Sequence, residues 1–212
     1  MKKFLSYVWP VTKQINSTIN GTLEITWFNG KKLLDSENAN YSYGPLEEVL
    51  TYGLSKINIL PDTNILLLGL GGGSIIEPLR NQFNCRGKIT AIEIDPVIID
   101  LAQTEFDVVN SNNLEIVCTN ALSFVKKCNT QFGLIIVDIF IDTEVPADFY
   151  LFDFWNSLVK ILKPKGSILF NAGINLKNDS NTQLIKQYFN NNYVVKIHKE
   201  EVNTLLTIKK LK

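Results

Sequence analysis

The chain has 212 residues, is 45% hydrophobic and 20% charged, and carries no formal net charge. Such a make-up fits one globular domain with at most a small appendage. It excludes a basic nucleic-acid-binding face as the basis of function, and no apolar run is long enough to cross a membrane as a helix.

Residues 1–44 read as a small β region. Residues 22–28 alternate apolar and polar, Asn29-Gly30 is a type I′ hairpin signal, and residues 31–35 are the returning strand. The start, MKKFLSYVWP, breaks at Pro10 without a small-residue cleavage site, so it is not expected to act as a signal peptide. Residues 36–44 are polar and contain Tyr41 and Tyr43. They fit a segment lying over the mouth of a site, or a surface loop with aromatic anchors. Pro45 suits the first position of a helix over 45–55, with Leu46, Val49, Leu50 and Leu54 at helical spacing.

From residue 45 to 212 strand and helix patterns alternate. Strands are expected at 66–69, 88–94, 114–118, 134–137 and 167–171. Helices follow at 96 onward, 120–127, 153–162 and 183–189. Asp95 supplies an N-cap with Pro96 behind it. Pro78 falls in the second turn of the helix expected after the first strand, which predicts a late start or a kink. Pro164 and Gly166 are expected to stop the 153–162 helix. Residues 193–198 and 204–209 read as an antiparallel pair. The alternation argues for a largely parallel sheet covered on both faces.

Between the first two strands lies Gly69-Leu70-Gly71-Gly72-Gly73-Ser74. Glycine lets the chain turn sharply and approach a ligand closely, and a helix start offers free N–H groups. A dinucleotide fingerprint would have Gly or Ala where Ser74 stands. Gly-x-Gly-x-Gly followed by Glu93, 24 positions after Gly69, instead suits an S-adenosylmethionine site, in which the acid accepts from ribose hydroxyls. Ligands of such sheets sit at the carboxyl ends of the strands. That rule gathers Gly69, Glu93, Asn120 and Asp138. Asn120 offers an acceptor to an adenine amino group and a donor to a ring nitrogen, and Asp138 sits where a transferred group would lie.

The remaining reactive residues suggest no second chemistry. Cys85, Cys118 and Cys128 lack metal-ligand spacing and read as reduced thiols, which points to the cytoplasm. No metal site is expected. His198 is the sole histidine and reads as structural. Residues 128–159 contain no lysine or arginine but do contain Asp138, Asp142, Glu144, Asp148 and Asp153. A rim this acidic would attract a cationic amine, although caps and solvated surface also use such residues.

The segments LLLGLGGG, AIEID, IVCTNALSFV, FGLIIVDIFID and VPADFYLFDFWNSLVKILKPKGSILFN make the chain similar to the spermidine synthase family. These are the polyamine aminopropyltransferases and their methyltransferase-like relatives. The resemblance covers about residues 20–175. It implies a methyltransferase-like Rossmann fold: a mostly parallel seven-stranded sheet with an antiparallel C-terminal pair, plus the N-terminal β-hairpin region. It also implies that Gly69, Leu70, Gly71, Gly73, Glu93, Ile94, Asn120, Ala121 and Asp138 hold the cofactor. Asp138 matches the family's base for the attacking amine, and Tyr41, Tyr43 and Asp142 would face the acceptor. A small-molecule acceptor and a homodimer are expected, with no nucleic acid and no membrane.

Three departures bear on the reaction. The aminopropyltransferases carry an acid where this chain has Gly72, Asp-Ser-Ser-Asp where it has Asp138-Ile139-Phe140-Ile141-Asp142, and Tyr-Gln-Glu where it has Tyr41-Ser42-Tyr43-Gly44. An acid at position 72 favours the amine tail of decarboxylated S-adenosylmethionine and repels the carboxylate of the intact cofactor. Gly72 removes that repulsion and tips the expectation slightly toward methyl transfer. Aminopropyl transfer to a polyamine is the alternative. A nucleoside-binding protein that kept the fold without the chemistry is another, and a nicotinamide oxidoreductase is disfavoured by Ser74 and the terminal hairpin.

Overall fold

A computed structural model of the chain describes residues 2–36, 40–174, 180–189, 191–200 and 202–212. A short helix, α1 (Lys2–Leu5), precedes a four-stranded antiparallel sheet. Its strands are β1 (Val11–Ser17), β2 (Gly21–Phe28), β3 (Lys31–Ser36) and β4 (Asn40–Ser42), in that order. The expected hairpin is at its centre. Asn29 and Gly30 take φ of 48° and 76°, and Phe28 pairs with Lys31 across the turn. The sheet is wider than the expected hairpin. In β1, Thr12, Lys13 and Gln14 are all exposed, so no alternation marks the strand.

The rest of the chain builds the second sheet. In chain order its elements are α2 (Pro45–Ser55), β5 (Ile65–Leu68), α3 (Ile76–Asn81), β6 (Ile89–Glu93), α4 (Pro96–Phe106), β7 (Leu114–Cys118), α5 (Ala121–Lys127), β8 (Phe132–Val137), α6 (Phe152–Ile161), β9 (Leu162–Ile174), α7 (Ser180–Tyr188), β10 (Tyr193–Glu200) and β11 (Asn203–Lys210). The spatial order is β10-β11-β9-β8-β5-β6-β7. The five strands from β9 to β7 run parallel, and the β10–β11 hairpin joins antiparallel through β11. This is the mostly parallel seven-stranded sheet with an antiparallel C-terminal pair.

Both faces of the sheet are covered, and the central strands divide their side chains between two cores. Leu66, Leu68, Ile135 and Val137 join Phe154, Trp155 and Leu158 of α6. Ile65, Leu67, Leu134 and Ile136 join Val49, Leu50 and Leu54 of α2 and Leu79 of α3. A strand buried on both faces needs apolar residues at every position, so ILLL and GLIIV read as continuous runs. A third cluster joins Leu23, Ile25 and Leu34 of the small sheet to Ile98 and Leu101 of α4. The small sheet is thereby fixed to the helix that leaves the Glu93 end of β6.

Local chemistry explains the boundaries. Asp95 Oδ1 accepts from the Val97 N–H at 2.9 Å and caps α4, with Pro96 behind it. The α3 helix does start late, at Ile76, which places Pro78 in its first turn, where a missing N–H costs no intrahelical bond. β9 departs from expectation. Pairing begins at Leu162 directly after α6, and its partner shifts from Phe132↔Leu162 to Leu134↔Ser167. Residues 163–166 bulge out with Lys165 at φ 59°, which takes Pro164 off the ladder. His198 lies on the terminal hairpin, its Nε2 2.8 Å from Thr207 Oγ1.

Candidate active site

The carboxyl ends of β5, β6, β7 and β8 surround a cavity of about 240 Å³. Gly69, Glu93, Asn120 and Asp138, taken from four separate strand ends in the sequence, all line it. Gly69 joins β5 to β8 at close range. It has φ 91°, and a Cβ placed on it would lie 2.0 Å from the Asp138 carbonyl oxygen. A side chain there would push the two strand ends apart.

Glu93 is buried, and backbone N–H groups surround its carboxylate. Oε2 accepts from Leu70 at 3.1 Å and Gly71 at 3.4 Å, and Oε1 accepts from Ile94 at 2.9 Å and Asp95 at 3.1 Å. Burial pushes its pKa above the ordinary value and these four donors pull it back. The same carboxylate therefore holds the glycine turn against β6 and lines the cavity. Ile94 beside it is an exposed apolar side chain, 44% accessible, that also lines the cavity with Ala121 and Leu122. An exposed apolar wall next to a carboxylate suits a heterocycle attached to a ribose. Asn120 is the N-cap of α5, its Oδ1 accepting from the Ser123 N–H at 3.0 Å. The carbonyl expected to receive an adenine amino group thus already serves the helix, and the amide N–H₂ is its other hydrogen-bonding group.

Asp138 follows β8. Its Oδ1 accepts from Asn171 Nδ2 at 2.9 Å, and burial drives its pKa from 3.8 up to about 6 against the lowering effect of that bond. The cavity wall holds three carboxylates, Glu93, Asp138 and Asp148, and no lysine or arginine among the described residues.

The small sheet closes one side. Ile19 and Asn20, between β1 and β2, line the cavity together with Tyr41 of β4. Asp95 accepts from Ser17 Oγ and from Asn20 Nδ2. Tyr41 Oη donates to Asn20 Oδ1 at 3.1 Å and accepts from the Asp142 N–H at 2.9 Å. Burial holds the Tyr41 phenol above its usual pKa, which keeps that donor protonated. Ser36 Oγ donates to Asp142 Oδ1 at 2.9 Å. Part of the 36–44 segment thus reaches the mouth of the cavity, while residues 37–39 lie outside the described residues.

Not every expected site residue reaches the wall. Gly69, Gly71, Glu93, Ile94, Asn120, Ala121, Asp138 and Tyr41 do. The Leu70 side chain is buried in the core on the α2 side, and Gly73 packs against Val108. Tyr43 stacks on Phe106, ring centroids 4.7 Å apart, with its hydroxyl donating to the Gly72 carbonyl at 3.3 Å. Asp142 holds the loop after β8 to Ser36 and Tyr41 instead of lining the cavity. Sequence reasoning missed Asn20 and Asn171. A polar residue ending the apolar run SILFN was the available signal for Asn171.

Residues 53–205 match the model of the spermine/spermidine synthase domain. The polyamine aminopropyltransferase of Thermoplasma volcanium is 26% identical over 160 residues, 73% of this chain and 53% of that protein. An eEF1A lysine and N-terminal methyltransferase homolog of Drosophila pseudoobscura pseudoobscura is 27% identical over 119 residues, 51% of this chain and 17% of that protein. The chain thus spans about half the length of the first and a smaller part of the second. The spermidine synthase structure from Thermotoga maritima superposes with a TM-score of 0.68 at 16% identity, covering 94% of this chain and 72% of that one, which shows the shared fold.

Proposed function

The chain belongs to the spermine/spermidine synthase family, and from that premise we propose that it is a transferase using intact S-adenosylmethionine to methylate an amine. The observation carrying this reading is Gly72. It stands where aminopropyltransferases place the acid that favours a decarboxylated tail, and the space beside it is filled by Ser42 and Tyr43. The site has no acid there to repel a carboxylate.

The residues present fit the nucleoside. Glu93, Ile94, Ala121, Leu122 and Asn120 line the cavity. Glu93 would accept from the ribose hydroxyls, the three apolar side chains would pack on the base, and Asn120 would offer its amide. The bound cofactor supplies an electrophilic carbon on a sulfonium. Asp138 takes the proton of the acceptor nitrogen, because an ammonium has no lone pair with which to attack. A carboxyl with its pKa at about 6 is ionised at neutral pH yet basic enough to receive that proton. Asp148 and Asp138 together draw a cationic acceptor toward the cavity.

Aminopropyl transfer is the second reading. It is favoured by the same wall of three carboxylates with no cation among the described lining residues to pair with a cofactor carboxylate. Calorimetry with S-adenosylmethionine, its decarboxylated form and methylthioadenosine separates the two. Tighter binding of the intact form, followed by gain of one methyl mass on an amine acceptor, supports the first. Tighter binding of the decarboxylated form supports the second. Binding of none removes both.

A further inference from the structure

Asn171 ends the last of the segments that resemble the family and is given no role by that resemblance, yet both ends of its amide are committed. It is fully buried in β9. Its Oδ1 accepts from the Gly173 N–H at 3.2 Å, and its Nδ2 donates to Asp138 Oδ1 at 2.9 Å. A backbone N–H only donates, so the Gly173 bond fixes which end of the amide is oxygen and turns the N–H₂ end to Asp138. The strands set the approach: Val137 pairs with Phe170, so Asp138 and Asn171 are the next positions along two neighbouring parallel strands.

We propose that Asn171 is a positioning residue for the transfer, pinning Oδ1 of Asp138 so that Oδ2 is the oxygen that receives the acceptor's proton. The proposal rests on the reading of Asp138 as the base. An unpinned carboxylate presents either oxygen by rotation about its Cβ–Cγ bond. With Oδ1 accepting from an amide that has no alternative orientation, a proton on Oδ1 would break that bond, and a proton on Oδ2 would keep it. Asp138 lines the cavity, and Oδ2 is its carboxylate oxygen with no protein hydrogen bond among the described residues. Oδ2 takes the proton from the acceptor ammonium; the nitrogen lone pair so freed then forms the new N–C bond as the C–S bonding pair leaves with sulfur. Glu93 from the end of β6, Tyr41 from β4 and Asp148 from the 3-10 turn Ala147–Tyr150 also line the cavity. None of them contributes to the Asp138 shift, which burial and the Asn171 bond set between them.

The test begins with the wild-type protein and no cofactor. NMR follows the Asn171 side-chain amide and the Asp138 carboxyl carbon against pH, with D138N used for assignment. Both signals are expected to move with one midpoint, near 6. N171D keeps the shape and the bond from Gly173 but replaces the donor with a second carboxyl. The pair then shares a proton, and the upper midpoint rises by at least about one unit. N171L removes the donor without adding charge and raises the midpoint in the same direction. The acid limb of kcat/KM moves with the NMR midpoint, while S-adenosylmethionine affinity at about pH 8 stays within about twofold, since Asp138 is ionised there in either protein. An Asn171 amide that ignores the Asp138 titration overturns the proposal. So does a variant that lowers turnover equally at every pH. Full turnover by D138N would instead remove the base reading, a result the wild-type titration cannot imitate.

Discussion

The Asp138 carbonyl oxygen lies 2.0 Å from the place a Cβ on Gly69 would occupy. The residue that turns the chain out of β5 and the residue that carries the carboxylate after β8 are therefore held in one packing unit. Gly69→Ala must part these strand ends and hold alanine at φ 91°. The expected cost is roughly 3 kcal/mol of stability. Cofactor affinity should fall with it, because the displaced turn carries the Leu70 and Gly71 N–H groups that bind Glu93. Denaturant unfolding and calorimetry measure the two effects, and native affinity would mean that the turn tolerates the shift.

Asp138 also makes stability depend on pH. Its pKa is about 6 in the fold and about 3.9 in an unfolded chain, so the folded state binds the proton more tightly. The stability Asp138 contributes is fully present below about pH 4 and is lost as pH rises through about 6, a change of roughly 2–3 kcal/mol. Asp138→Asn keeps an acceptor for Asn171 and has no charge to bury. The variant should lose turnover, keep cofactor binding, and melt higher than the wild type at about pH 8, with the difference shrinking toward about pH 4. A melting difference independent of pH would place the ionisation elsewhere.

How much of this was legible in the sequence depended on whether a residue's role was local. Asn29-Gly30 and Asp95-Pro96 act on their own turn and helix start, and both were readable. The strand ends were readable because chain order and sheet direction place them on one side. Asn171, Asn20 and Tyr41 act across 33, 75 and 101 positions of separation. Only the packing of β9 on β8, and of the small sheet on α4, brings them to their partners. Leu70, Gly73 and Tyr43 show the opposite case. A motif places residues near a ligand, but the Leu70 side chain turns into the core, Tyr43 turns onto Phe106, and the Gly73 backbone lies close to Val108.

Tyr41 links the two rims of the cavity through one oxygen, donating to Asn20 and accepting from Asp142. Tyr41→Phe keeps the ring on the wall and removes every hydrogen bond of the hydroxyl, the one with the Ser36 side chain included, at an expected cost of about 1–2 kcal/mol. The loss should be local. Amide hydrogen exchange should quicken at residues 17–20 and 141–144 and stay unchanged in β5 and β8. Cofactor affinity should weaken only a few fold, since Glu93 and Asn120 are untouched. Uniform quickening across both sheets would show that the hydroxyl supports the whole fold.

On the proposed reading, the choice between methyl and aminopropyl transfer turns on whether position 72 can carry an acid. The backbone of Gly72 lies outside the left-handed region, so conformation does not demand glycine there. The obstacle is space: a Cβ would meet Ser42 Cβ at 2.9 Å, Ser42 Oγ at 3.0 Å and Tyr43 Cε2 at 3.2 Å. Ser42 is also tied in place, its Oγ accepting from the Ser74 N–H at 3.3 Å. Gly72→Asp alone should therefore cost roughly 1–3 kcal/mol and gain little preference for the decarboxylated cofactor, because β4 must move before the carboxylate can reach the cavity. Adding Ser42→Gly opens the space. The double variant should recover at least about 1 kcal/mol over the sum of the single changes and shift the preference toward the decarboxylated cofactor by about tenfold. Unfolding and calorimetry on the three variants measure both quantities. If Gly72→Asp alone folded as well as the wild type and bound the decarboxylated form tightly, Ser42 would not be the barrier, and position 72 by itself would set which cofactor is taken. A double variant that folds yet keeps the wild-type preference would show that the glycine has no bearing on which group is transferred.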